Sequence, residues 1–482
     1  MTNLSGTNLN NGAAVGPQGE GRESPSTFPK YPAYKDSGVE WLEKVPAGWT
    51  VSKLGYFFRE PPCYGVLVPD FDPDGVPMLR ITDMEHEFID ASGLVTISPS
   101  LSAQYARTIV QVGDVVLSLV GTIGKAFEIS PKLAGVNLSR AVARIQLGSN
   151  TLPRYLCWIF QSCEFTHFID LVCKGTAQRV LNLSDLNAFS FTFPSYSEQC
   201  AISRFLDHET ARIDALIEEQ QRLIELLKEK RQAVISHAVT KGLDPAVPMK
   251  DSGVEWLGEV PAHWRAVRLR HCLVDALTYG ANEPSDEANL EHPRYIRITD
   301  LNDDGTLSAE TYKSLPPEKA EPYMLEEGDV LFARSGATVG KSFLYSREYG
   351  PACYAGYLIR ARVNKRALIP MYLWMCTQSR QYEQFIGESN IQATIQNVSA
   401  EKYGNMWIAL PEIEEQERIL AELEIQLSQF KSLMETSVGA LVLLQERRSA
   451  LISAAVTGKI DVRGWQPPVS TQAPEPAVAE AH

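Results

Sequence analysis

Ser335 to Ser342, Ser-Gly-Ala-Thr-Val-Gly-Lys-Ser, is the stretch whose residue types come nearest to phosphate chemistry. A phosphate loop places four residues between its first Gly and its Gly-Lys pair, so that consecutive backbone N–H groups cradle the anion. Gly336 to Gly340 leaves three, and Gly121-Thr-Ile-Gly-Lys125 is shorter still and lacks a following Ser or Thr. Two readings stay open: a turn that offers Lys125 or Lys341 to a ligand, and a plain glycine turn between strands. Asp70, Asp72 and Asp74 have no downstream Glu-x-Lys partner for a metal-dependent nuclease, and their Pro and Gly neighbours suit a solvated turn. No Asn-Pro-Pro-Tyr or Asp-Pro-Pro-Tyr stretch serves amino-methyl transfer, and no G-x-G-x-x-G follows a strand. The eight histidines sit in no serine or cysteine nucleophile context. The eight cysteines show no C-x-x-C pair, so the reading is reduced thiols without zinc or disulfides. The expectation is a chain without catalysis, metal or cofactor of its own.

Binding chemistry is better represented. Lys174, Thr176, Gln178 and Arg179, followed by Asn182, form one polar stretch, and Gln392, Thr394, Gln396 and Asn397 form a second. Arg, Gln and Asn can make paired hydrogen bonds to guanine or adenine edges, whereas Lys and Thr suit phosphates. The alternative is a surface loop whose amides cap local turns. Arg360, Arg362, Lys365 and Arg366 make a basic cluster that is either a phosphate contact or a solvated strand end. The net charge of −14 has the wrong sign for holding nucleic acid by bulk attraction, so any such contact is local or shared with a partner.

The scaffold that carries these residues is duplicated. Lys35 to Gly55 and Lys250 to Arg270 share 13 of 21 residues, including Trp41, Val45-Pro46 and Trp49 against Trp256, Val260-Pro261 and Trp264. This compact apolar clasp leads each time into a mixed segment. Strands are expected at 78–82, 114–119, 126–129 and 141–147, with a helix over 154–173; the second copy has them at 295–299, 329–333, 342–345 and 357–363, with a helix over 371–386. Arg80-Ile-Thr-Asp83 returns as Arg297-Ile-Thr-Asp300, and Gly113-Asp114-Val115 as Gly328-Asp329-Val330. Between these landmarks the copies diverge, as expected of one support that presents two different surfaces.

A long helix closes each copy. From Ile202, steps of four and three give Leu206, Ile213, Leu216, Leu223, Leu227 and Val234, the 3.5-residue period of a coiled coil, in a rod of about 65 Å. Ser195 or Ser197 ahead of Glu198 caps its start. The seam returns 217 residues later as Ile419, Leu423, Phe430, Leu433, Leu444 and Leu451, with matched polar breaks at Glu209, Gln220 and Lys230 and at Gln426, Ser437 and Arg447. A parallel pair would set Lys230 against Arg447. An antiparallel pair sets Gln220 near Ser437 and Leu227 near Phe430, with Leu216, Leu223, Leu433 and Leu441 along the contact. The resulting division is 1–30 a disordered tail, 31–194 a first α+β domain, 195–242 a long helix, 243–411 a second such domain, 412–460 a second long helix and 461–482 a tail. No apolar run suits a membrane span and the N-terminal stretch lacks the features of a signal peptide, which leads to a cytoplasmic expectation.

This order of clasp, variable domain and long helix resembles the specificity subunit of type I restriction-modification enzymes. The match runs over about residues 31 to 464, with Pro-x-x-x-Glu-Gln opening each helix at Pro194 to Gln199 and at Pro411 to Gln416, and with Ala-Val-Thr closing it. The resemblance implies an α+β chain of two target recognition domains separated by two long antiparallel coiled-coil helices, with an internal pseudo-twofold repeat. Each domain would read one half of a bipartite asymmetric site in double-stranded DNA, and helix length would set the unread spacing. It further implies a non-catalytic subunit that docks two methyltransferase subunits using S-adenosylmethionine and two motor-nuclease subunits using ATP and Mg2+. It assigns no base-reading residue and no role to the tail before Tyr31. A structural adaptor that binds two protein partners without touching DNA is the competing expectation.

Overall fold

A computed structural model describes residues 28–85, 89–173, 179–284, 288–302, 305–390 and 397–468. The chain forms two compact units: residues up to Glu218 with those from Leu441 onward, and Glu219–Ala440. The same sheet is built in each. In the first unit β1 (Phe58–Tyr64), β2 (Val115–Ser118), β3 (Ala126–Glu128) and β4 (Val142–Leu147) lie in the order β1-β4-β2-β3, every neighbour antiparallel. In the second, β5 (Thr278–Tyr279), β6 (Val330–Ala333), β7 (Ser342–Leu344) and β8 (Leu358–Ala361) repeat that order as β5-β8-β6-β7. Strands β2 and β6 are buried on both faces, which is why each reads as an unbroken apolar run rather than an alternation.

The helix expected over 154–173 is two helices, α1 (Pro153–Phe160) and α2 (Cys163–Val172). That expected over 371–386 is likewise two, α5 (Pro370–Cys376) and α6 (Arg380–Asn390). A serine causes each break. The Ser162 hydroxyl accepts from the Phe165 N–H, and the Ser379 hydroxyl from the Tyr382 N–H, so each starts a new helix in place of continuing the old one. Short helices α3 (Leu183–Ala188) and α7 (Ala400–Asn405) follow, and then the long α4 (Tyr196–Lys241) and α8 (Ile413–Val456).

The Pro-x-x-x-Glu-Gln signature is a joint. Buried Gln199 donates to the Pro194 and Asn150 carbonyls and accepts from the Leu152 N–H; buried Gln416 donates to Pro411 and Ala367 and accepts from Ile369. Each glutamine thereby fixes the start of its long helix to the segment entering α1 or α5. Ser195, the residue before α4, caps it by exchanging hydrogen bonds with Glu198.

The long helices pair antiparallel. In the first unit Ile202, Leu206 and Ile213 of α4 share a core with Leu451, Ile452, Ala455 and Val456 of α8, and Arg448 donates to Asp214 at 2.7 Å. In the second, Ile235, Ala238 and Val239 of α4 lie with Ile419 and Leu423 of α8. The seam is one residue out of step with the expected one. Leu216, Leu223 and Leu433 are exposed by 45%, 40% and 53%, while Ile217, Ile224 and Met434 face inward more than they do. The cause is a double four-residue step: Ile202, Leu206 and Thr210, rather than Glu209, take consecutive inward places, and Ile419, Leu423 and Leu427 do the same in α8. Two fours in succession advance the phase, as a stutter does in a coiled coil. Gln220, Leu227, Phe430, Ser437 and Leu441 remain inward or half-buried, whereas Lys230 is exposed and Arg231 takes the inward place.

A clasp closes the end of each long helix. Gly242 after α4 and Gly458 after α8 both have φ near +75°, and they sit against Trp264 and against Pro46 and Trp49 respectively. A Cβ at Gly458 would lie 2.4 Å from the Pro46 ring, whereas at Gly242 the nearest atom is Trp264 at 3.3 Å. Gly458→Ala therefore adds a clash to the left-handed backbone cost of about 1–3 kcal/mol, and Gly242→Ala carries that cost with little more. Unfolding midpoints in urea should fall for both and further for Gly458→Ala; equal shifts would contradict the packing.

Candidate nucleic-acid interface

One end of each sheet gathers segments that are far apart in sequence. In the first unit Tyr64 ends β1, the turn Leu119–Lys125 joins β2 to β3, and Arg140 lies just before β4. The chain leaving α2 returns here: Val120 bridges Val180, and the Leu181 N–H donates to the Leu119 carbonyl. The second unit repeats this with Tyr279 ending β5, the turn Arg334–Lys341, and Tyr357 before β8; Ser335 bridges Asn397, and the Val398 N–H donates to the Arg334 carbonyl. The glycine-lysine turns thus meet the described residues that follow or end the polar stretches, Val180 in the first unit and Asn397 in the second. The Arg-Ile-Thr-Asp turns border them, since Ile81 approaches Gly121 and the Lys341 amine reaches the Leu301 carbonyl at 3.4 Å. Each of these turns is closed by its own Arg–Asp fork, Arg80 on Asp83 and Arg297 on Asp300, both at 2.9 Å.

Neither glycine-lysine turn is a phosphate cradle, because the amides of its Gly-Lys pair are already spent. The Lys125 N–H donates to the Ser118 hydroxyl and that of Gly124 to the Ser118 carbonyl; in the second unit Val339, Gly340 and Lys341 donate to Gly336, Ala333 and Thr338. The turns instead set lysines at the sheet end. Lys125 is half-buried there, and its amine makes no hydrogen bond or ion pair among the described residues.

The other sequence candidates divide. Asn397 is exposed at the sheet end. Arg179 is there too, paired with Asp170 at 2.5 Å, and Asn182 donates to Asp185. Lys174, Thr176, Gln178, Gln392, Thr394 and Gln396 lie outside the described residues. Arg362 is not a phosphate contact: its guanidinium grips Asp329 through two hydrogen bonds of 2.8 and 2.7 Å and Glu326 through a third. The Asp329 carboxylate holds the Arg362 guanidinium more firmly protonated than usual. In the first unit the matching Asp114 pairs instead with Arg144, which stands where the second unit has Arg360, and that pair is almost fully buried at 2.7 Å. This explains the repeated Gly-Asp-Val: the aspartate is an internal anchor, and it also accepts an N–H from Gln111 or Glu326. Arg360 lies over the Tyr354 ring at 6.0 Å, within the sheet rather than at its end. Burial pushes the Cys157 and Cys353 thiols up to about 12, so these cysteines act as packing groups.

Sequence reasoning passed over five residues of this surface: Tyr64, Tyr279, Arg140, Arg334 and Tyr357. The tyrosine hydroxyls accept the first amides of the short helices, Leu183 onto Tyr64 and Ala400 onto Tyr279. The following Gly65 and Gly280 pass so close to Leu138 and Tyr354 that a Cβ would lie 2.0 and 2.2 Å from their carbonyl oxygens. A Tyr-Gly pair recurring at the duplication offset was the available signal. The side chains projecting from this shared frame differ: Arg140-Ala141 in one copy is Gly356-Tyr357 in the other, and buried Leu119 corresponds to Arg334.

The Type I restriction modification DNA specificity domain family matches residues 46–227 and 281–436. The EcoBI type I restriction enzyme specificity subunit of Escherichia coli is 27% identical over 227 residues, 46% of this chain and 44% of that protein. The StySPI specificity subunit of Salmonella potsdam is 20% identical over 447 residues, 88% of this chain and 91% of its own length. Among solved structures, a chain described under "Structural basis underlying complex assembly and conformational transition of the type I R-M system" superposes with a TM-score of 0.67 at 17% identity, over 86% of this chain and 98% of its own. At that identity the likeness concerns the fold. Among the described residues no helix is long and apolar enough to cross a membrane.

Proposed function

The chain belongs to the type I restriction modification DNA specificity family, and from that premise we propose that it reads a bipartite, asymmetric DNA site with one half-site per unit. The observation that carries this reading is a single scaffold built twice with different side chains at the same sheet end. A support that served two identical protein partners would gain nothing from replacing Leu119 and Arg140-Ala141 by Arg334 and Gly356-Tyr357. The antiparallel helices would set the number of unread base pairs between the half-sites.

In this reading the chain is not itself catalytic. It docks two methyltransferase subunits that bring S-adenosylmethionine and two restriction subunits that bring ATP and Mg2+. Partners would supply much of the phosphate contact, which fits a subunit with a net charge of −14. Methylome sequencing of cells that carry this chain with its methyltransferase tests the reading. Two short specified tracts of different sequence, separated by unspecified base pairs, are expected; methylation without sequence dependence would leave the adaptor reading in its place.

A further inference from the structure

Arg334 is an arginine held in place with no oxygen partner among the described residues. Its guanidinium carbon lies 4.7 Å above the Tyr279 ring, a cation–π contact that fixes the plane of the group. Tyr279 is itself pinned, because its hydroxyl accepts the Ala400 N–H at 3.0 Å. The Arg334 backbone is tied on both sides, its N–H donating to the Tyr357 carbonyl and its carbonyl accepting from Val398. Yet no hydrogen bond or ion pair engages its side chain among the described residues, and Nε is fully buried without a partner. That leaves the two terminal nitrogens as the accessible donors. By contrast, Arg297, which borders the same end of the sheet, grips Asp300 and the Thr311 carbonyl, and Arg360, whose Nε is likewise buried without a partner, lies within the sheet over Tyr354 rather than at its end.

We infer that Arg334 is a specificity-determining residue of the second unit and reads a guanine through its O6 and N7 acceptors. The inference rests on the DNA-reading function proposed above. A guanidinium has donors and no acceptor, so its end-on pair of N–H groups matches an edge with two acceptors, and in the major groove only guanine offers that edge. Stacking on Tyr279 removes the rotamer freedom that a long side chain otherwise loses on binding. A phosphate also has two acceptors, but phosphate contacts position a protein and are useful at both half-sites. The first unit has buried Leu119 at this place, so the contact belongs to one half-site only.

The test uses the full chain, co-expressed with its methyltransferase, in Arg334→Leu, Arg334→Lys and Tyr279→Phe forms, with methylated motifs read from the genome. Arg334→Leu introduces the residue that the first unit carries at this position. It should relax one guanine position of a single half-site by about 5- to 150-fold and leave the other half-site unchanged. Arg334→Lys keeps the charge but loses the planar fork, and it should relax the same position. Tyr279→Phe keeps the stacking ring and should retain the guanine. An unchanged motif in both Arg334 variants would overturn the inference. So would a uniform loss across all sequences in Arg334→Leu that Arg334→Lys restores, which marks a phosphate contact. If the unaltered chain shows no sequence-dependent methylation, the proposed function itself fails, an outcome distinct from a wild-type motif that ignores Arg334.

Discussion

Asp114→Ala is expected to destabilise the first unit by about 3–5 kcal/mol, because it strands a buried guanidinium. Arg144 is 7% exposed, and its other hydrogen bonds go to the Arg107 carbonyl and the Gln146 amide oxygen, neither of which can neutralise it. The equivalent Asp329→Ala should cost less. Arg362 is 21% exposed and retains Glu326 as a second acceptor at 2.6 Å, so water and that carboxylate take over part of the lost interaction. With two units in one chain, hydrogen exchange is a better readout than a single melting curve. Amides of β2 and β4 should lose protection in Asp114→Ala while those of β6 and β8 keep theirs; Asp329→Ala should do the reverse and to a smaller degree. Equal losses in the two variants would contradict the asymmetry in burial. Replacing Asp114 and Arg144 together by apolar residues of similar volume should recover much of the loss, since it removes the unpaired charge rather than creating one.

The duplication, the strands and the antiparallel helices were legible because each leaves a periodic or repeated mark. The apolar runs at Val115–Ser118 and Val330–Ala333 announce buried strands, and the matched breaks in the two long helices announce their common origin. The phase of the seam was not legible. Leu216-Ile217 and Leu223-Ile224 are apolar doublets, so a 3.5-residue count passes through either member, and only the burial of Thr210 in place of Glu209 decides. The serines at 162 and 379 were visible, but a serine inside an apolar helical pattern is equally compatible with an unbroken helix.

The candidate surface was half legible for a different reason. Glycine-lysine turns and polar stretches carry their chemistry in their composition, and the Val120–Val180 and Ser335–Asn397 bridges bring the turns to Val180 and Asn397. Arg362 looked like a phosphate ligand because charge alone does not reveal its partner; Asp329, 33 residues away, claims it through the register of neighbouring strands. Arg334 carries no local pattern at all, and Tyr279 carries only its repeated Tyr-Gly pair. They meet only because β5 and β6 both flank β8 and end at the same side of the sheet.

The central claim is that each unit reads its half-site independently of the other. Exchange of residues 53–193 for the matching segment of a relative addresses it, and the junctions suit the exchange. The strands Thr50–Lys53 and Ser190–Phe193 pair with each other, Lys53 opposite Ser190 and Thr50 opposite Phe193, so both cuts fall in one two-stranded ladder. Gln199, outside the segment, holds it through the backbone atoms of Asn150 and Leu152, which any donor sequence provides. Each specified base pair is worth about 1–3 kcal/mol, so a half-site of three or more positions should lose about 150-fold or more in methylation at the old sequence. The most direct measurement is the methylome of cells that carry this hybrid with the methyltransferase. One new half-site is expected, with the other half-site and the spacing retained; a change in both half-sites would show that the two units do not read separately.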